Sequence, residues 1–195
     1  MALLRVNSTR ALARVIRGML LALLVLSGSL PAAEPKPTIS PEYQVKAVFL
    51  FNFAQFAEWP PEALGRPGSP FVIGILGDDP FGSYLDDLVR DEEIGGRRLV
   101  IHRCRELVET QGCHLLFISR SEAPRMEMLL RNLRNRSVLT VSDVEPFARA
   151  GGMVQFLMED RKVRLRINVL AAKACGLTIS SKIQRPATIV TTGKD

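Results

Sequence analysis

The sequence is poor in the residues that most often carry chemistry. Its 195 residues include two histidines, three cysteines, one tryptophan and two tyrosines. It contains no Cys-x-x-Cys, no Gly-x-Gly-x-x-Gly, no P-loop lysine pattern and no Gly-x-Ser-x-Gly. These absences remove the sequence grounds for a thioredoxin-like redox site, a dinucleotide fold, a phosphate-cradling NTPase and an α/β hydrolase. His102 and His114 each lie in or beside a strand-like run, and neither belongs to a metal-ligand spacing. No catalytic residue, cofactor or metal is assigned, and the chain is read as a non-enzyme. After residue 33 no segment is long and apolar enough to cross a bilayer, which takes about 20 residues.

The first 33 residues differ from the rest. Arg5, Arg10, Arg14 and Arg17 occur there without one acidic residue. The apolar run MLLALLVLS, Met19 to Ser27, follows, and then the small and helix-breaking GSLPAAEP. This order is that of a secretory signal peptide, with cleavage expected between Ser29 and Ala33. An uncleaved amino-terminal anchor is the second reading. Cleavage leaves 22 basic against 20 acidic residues, so the formal charge falls from +6 to +2. The basic balance belongs partly to the targeting segment and gives no reason to expect nucleic-acid binding. The expected product is a periplasmic protein. Residues 34–41 read as a flexible amino terminus, 42–185 as one domain and 186–195 as a tail.

Along that domain, helical and strand patterns alternate. Ser40-Pro41 starts a helix expected to run to about Glu58, before Pro60 and Pro61. Pro70–Leu76, Arg97–Cys104, Cys113–Ser119 and Ser137–Asp143 read as strands. Pro80–Arg90 and Glu122–Arg134 read as helices between them, with a helical turn over Glu106–Thr110. Gly152–Asn168 reads as two strands around Asp160-Arg161, because Val163, Leu165 and Ile167 alternate with Arg164 and Arg166. Val169–Cys175 is a last short helix, and LTISSKI is either an extra strand or a loop. The fold class is α/β: a single three-layer domain with a mostly parallel sheet flanked by helices and an antiparallel hairpin near the carboxy terminus.

Few positions invite a site. Asp78 and Asp79 end the first strand, where doubly wound sheets bind ligands, so they mark the rim of a candidate pocket. A receiver-like phosphorylation site needs an aspartate at the end of the third strand, and Ser119 stands there. Gly74, inside a strand, is read as a point of close packing. Arg125, Arg131, Arg134 and Arg136 form a solvated helix face or, less simply, an anionic partner site. Arg164 and Arg166 carry the same two readings.

The stretch VKAVFLFNFAQFAEWP holds four phenylalanines and the tryptophan. On a helical wheel Val45, Phe49, Leu50, Phe53, Ala54, Phe56 and Ala57 share a broad face assigned to the core. Val48, Phe51 and Trp59 fall instead among Gln44, Asn52, Gln55 and Glu58. Another part of the chain covers them, or they belong to a partner surface, so they are the candidate partner contacts.

Together, EYQVKAVFLFNFAQFAEWP, FVIGILGDDPFG, CHLLFIS, SVLTVSD and GGMVQFLMEDRKVRLRIN, followed by AAKACGLTISSKI, resemble the YfiR family of periplasmic proteins from about Glu42 to Ile183. The resemblance implies a dimer-forming, non-enzymatic repressor. Such a repressor binds the periplasmic part of an inner-membrane diguanylate cyclase and holds its cytoplasmic catalytic domain inactive. Release, linked to envelope stress, redox state or capture by an outer-membrane lipoprotein, raises cyclic di-GMP and favours biofilm. A sensor kinase is a further partner of the same kind, and a small-molecule sensor domain is the alternative. The family's redox-regulated member has cysteines flanking Gly-Gly-Met, whereas FARAGGMVQF has none. Cys113 matches a family cysteine whose usual distant partner is missing, which leaves Cys104 as its candidate partner for a disulfide or redox role. A short closed loop would contribute about 2–3 kcal/mol. Cys104 ends one strand and Cys113 begins the next, which places them at opposite edges of a parallel sheet and argues against the bond.

Overall fold

The computed structural model describes residues 39–193. The signal peptide read over 1–33, and the flexible segment after it as far as residue 38, lie outside the described residues. Helix α1 spans Pro41–Phe56, with Pro41 in its first turn and the Ser40 hydroxyl accepting the Tyr43 N–H at 3.5 Å. It stops two residues short of the expected Glu58. Ala57 and Glu58 straighten into β1 and pair antiparallel with β9, Thr178–Ile179, so a long-range partner takes over the end of the helix.

Five strands form the parallel centre of the sheet: β2 (Phe71–Leu76), β4 (Arg97–Cys104), β5 (Leu115–Ile118), β6 (Leu139–Ser142) and β7 (Val154–Glu159). Their order is β4-β2-β5-β6-β7. β8 (Lys162–Ile167) returns antiparallel to β7 as the expected hairpin, and Asp160 and Arg161 at its turn have φ of 50° and 59°. Two positive values in a two-residue loop match the right-handed twist of the strands it joins. β10 (Ala187–Ile189) lies parallel to β8 at one edge, so the sheet continues past residue 185. β3 (Glu93–Ile94) closes the other edge against β4.

The three layers follow from strand periodicity, since successive side chains point to opposite faces. Phe71, Ile73 and Ile75 of β2, with Leu115 and Phe117 of β5, join Ala47, Leu50, Phe53 and Ala54 of α1 and Leu85 of α2 (Ser83–Val89) in one core. Leu76, Leu116 and Ile118 face the other way, onto Met126, Leu129, Leu130 and Leu133 of α3 (Met126–Leu133). The short helices α4 (Val169–Ala174) and α5 (Ser181–Gln184) bracket β9. Phe53 stacks on Phe156 with ring centroids 5.8 Å apart, which seats α1 across β7.

The wheel of α1 needs one correction. Val45, assigned to the core, is 45% exposed, while Lys46 and Ala47 are buried in its place. A buried ion pair rotates the helix so that the residue after Val45 faces inward. Glycines mark two close approaches. A Cβ on Gly74 would lie 2.6 Å from the Cys113 sulfur, and one on Gly152 would lie 2.2 Å from the Phe147 ring. Gly152, the second glycine of GGM, therefore makes room for Phe147, itself 1% exposed.

Candidate functional site

The carboxyl ends of the parallel strands gather the unusual chemistry. From β2 the chain crosses to β4 on one side and then to β5 on the other. That reversal opens a crevice at the strand ends between β2 and β5, the switch point where open α/β sheets bind ligands. Gly77, Asp78 and Asp79 follow β2; Ser119, Arg120, Ser121 and Glu122 follow β5.

A cleft of about 500 Å³ lies there, lined by Gly77, Asp78, Asp79, Arg103, Cys104, Arg105, Ser121 and Glu122. Both candidate rim aspartates are therefore on its wall. Asp79 is committed to the protein: one oxygen accepts the Phe81 and Gly82 N–H groups at 2.7 and 3.2 Å, and the other meets Arg103 Nε at 2.7 Å. Arg103 forks onto Asp86 as well, and that bond, aided by Asp79, raises its pKa. The Asp78 N–H donates to the Ser121 hydroxyl at 2.9 Å, which draws the segment after β5 over Gly77. Ser119, at the receiver acceptor position, is buried.

Beside this cleft sits a buried charge network that sequence reading missed. Lys46, 1% exposed, pairs with Asp143 at 2.5 Å and with the carboxylate of Glu42. The same Asp143 oxygen accepts the Tyr43 hydroxyl at 2.9 Å and lies 3.2 Å from Arg120 Nε. Its other oxygen is buried and has no hydrogen-bond partner among the described residues. The Lys46 ammonium also sits 4.4 Å from the centre of the Tyr43 ring. Burial, reinforced by Asp143, raises the Tyr43 pKa. The network ties the first turns of α1 to the end of β6. Its signal in the sequence was a lysine inside an apolar run, and nothing local named Asp143 as its partner.

The candidate partner contacts separate by exposure. Val48 is 40% exposed and, with Val45, forms an outward apolar stripe on α1. Phe51 is half-buried against the core. Trp59 is also half-buried, its indole N–H donating to the His114 carbonyl at 2.9 Å and its ring meeting the edge of Phe71 at 4.8 Å. Among the basic residues, Arg125 bonds Glu122 and the Arg105 carbonyl, and Arg136 bonds the Thr110 hydroxyl and carbonyl at 3.1 and 2.8 Å. Both are turned onto their own chain.

The cysteines overturn one expectation. Cys104, Cys113 and Cys175 are free, yet the sulfurs of Cys104 and Cys113 and a ring nitrogen of His102 lie within 4.8 Å of one another. Strand ends at opposite sheet edges do not keep the two thiols apart, because Cys113 precedes β5 by two residues and its side chain runs into the gap at Gly74. Burial raises both thiols, Cys113 to about 12.

The fold and its strand-end crevice define a doubly wound α/β domain with a closing hairpin. Residues 43–188 match the YfiR/HmsC-like family, and the chain belongs to that family. The match spans α1 through β10, so it covers the whole folded domain rather than one motif. No curated protein matches the chain. Among the described residues, no helix is long and apolar enough to cross a membrane.

Proposed function

We propose that this chain is an exported, non-enzymatic regulator that binds the periplasmic domain of an inner-membrane signalling protein. A diguanylate cyclase is the first partner and a sensor kinase the second. Binding holds the cytoplasmic catalytic domain inactive, and release raises cyclic di-GMP and favours biofilm. The observation that carries this reading is membership of the YfiR/HmsC-like family across the whole domain. The outward stripe of Val45 and Val48 supports it, since an apolar helix face beside a polar rim suits a protein partner. Repression requires only that the regulator prefer the inactive cyclase. A 100-fold preference corresponds to about 2.7 kcal/mol of coupling.

The test is binding of the purified protein to the periplasmic domains of membrane cyclases and kinases from the same cell. Val48→Asp should weaken binding by more than about tenfold while leaving the unfolding free energy within about 0.5 kcal/mol. Equal binding by that variant would move the contact off α1. Failure to bind every candidate domain would overturn the regulator reading. It would then favour a small-molecule sensor, for which the 500 Å³ cleft at Asp78 and Asp79 is the specific support. Cell fractionation tests the export step, with the protein expected in the periplasmic fraction.

A further inference from the structure

We propose that His102, Cys104 and Cys113 form a binding site for a thiophilic d10 cation, with copper(I) as its best-fitting occupant. The three ligand atoms lie within 4.8 Å of one another. Trigonal ligands at about 2.3 Å from a common ion stand about 4 Å apart, so a small side-chain rotation completes the geometry. Two sulfurs and one imidazole nitrogen are a soft set of three. Copper(I) is satisfied by three such ligands, whereas zinc would add a water or another donor as its fourth.

Two of the three ligands come from one strand, and the third from the loop that enters β5. His102 and Cys104 alternate on one face of β4. In register, His102 sits beside Gly74 of β2 and Cys104 beside Leu76. Gly74 has no side chain, and the Cys113 sulfur fills that space, 2.6 Å from where a Cβ would stand. A larger residue at Gly74 would push the third ligand out. Cys104 and Cys113 are buried among Leu76, Leu116 and α3, while His102 is exposed and gives the ion its way in.

A cysteine binds a metal as its thiolate, so the entering ion takes the place of the thiol proton. Binding therefore runs as two thiols plus copper(I) giving a bis-thiolate complex and two released protons, with no change of oxidation state.

The experiment is anaerobic titration of the reduced protein with copper(I) against a chromophoric chelator. One copper per chain should bind, with a near-ultraviolet thiolate-to-copper band. Cys104→Ser and Cys113→Ser should each lose more than about 100-fold in affinity, beyond what an outer contact contributes. His102→Ala should lose less, and Cys175→Ser should behave as wild type. X-ray absorption on the copper-loaded wild-type protein should show two sulfur scatterers and one nitrogen, which does not depend on any variant folding. Copper bound through nitrogen and oxygen alone would overturn the proposal. So would affinity retained in the two cysteine variants, or a wild-type chain that cannot bind because Cys104 and Cys113 are joined as a disulfide.

Discussion

Trp59 and His114 hold one another across the lower edge of the sheet. The indole N–H donates to the His114 carbonyl at 2.9 Å, and the imidazole of His114 stacks on Phe71, whose edge the indole also meets. The His114 ring nitrogen Nδ1 accepts the Val72 N–H at 2.9 Å, so the residue after Cys113 fixes β2, β5 and the exit of α1 at once. The single tryptophan is an anchor for the loop that follows β1.

Trp59→Phe tests that anchor. The lost hydrogen bond should cost about 1 kcal/mol, because the His114 carbonyl still accepts the Leu139 N–H at 2.9 Å and is not orphaned. Urea unfolding should show the midpoint fall with little change in slope. An unchanged midpoint would mean that the indole bond is exchanged freely for water.

The Lys46–Asp143 pair should behave as a buried ion pair. Lys46→Met alone leaves the buried Asp143 with only the largely exposed Arg120 as a cation, 3.2 Å away, and should destabilise the domain by about 3 kcal/mol. Lys46→Met combined with Asp143→Leu should recover most of that loss, since the charges then left, Glu42 and Arg120, both reach solvent and lie 4.0 Å apart. Denaturant unfolding of the single and double variants measures the difference. Additive losses would show that the two side chains act separately.

His114 makes stability depend on pH. Burial, aided by the charge of Arg97, lowers its pKa, so the folded state binds its proton less readily than the unfolded state. The contribution is fully present above the unfolded value of about 6.5 and is lost as pH falls from there through the depressed folded value. The slope from this one group is at most about 1.4 kcal/mol per pH unit. Unfolding measured on either side of pH 6.5 should show it, and His114→Asn should flatten that part of the profile.

Gly152→Ala should destabilise the domain by about 1–3 kcal/mol, because its methyl group would enter the Phe147 ring space. Adding Phe147→Leu should relieve the overlap at the expense of a small cavity. Thermal unfolding of the single and double variants distinguishes this clash from a simple loss of backbone freedom.

Much of the fold was legible because strands and helices announce themselves by period. FVIGIL and LLFI are short apolar runs, and they became the two central parallel strands. The alternation Val163-Arg164-Leu165-Arg166-Ile167 foretold the hairpin with its wet and dry faces. Ser40-Pro41 announced the start of α1 with no help from the rest of the chain. The rim residues Asp78 and Asp79 were legible for a related reason, since a strand end is a local feature. Asp79, however, proved to be a cap and an ion-pair partner.

By itself the sequence determined the class of fold, the order of its main helices and strands, and the family. These rest on local patterns repeated along the chain, each set by the geometry of neighbouring residues. Only the tertiary structure decided which way α1 faces. Lys46 turns inward because Asp143, 97 residues away, waits at the end of β6, and Val45 turns out as a consequence. Only the tertiary structure brought Cys113 to Cys104 and His102, through a gap left by the missing side chain of Gly74. An unpaired charge cannot stay buried and an empty space cannot stay empty, and both demands are met by residues far apart in the chain.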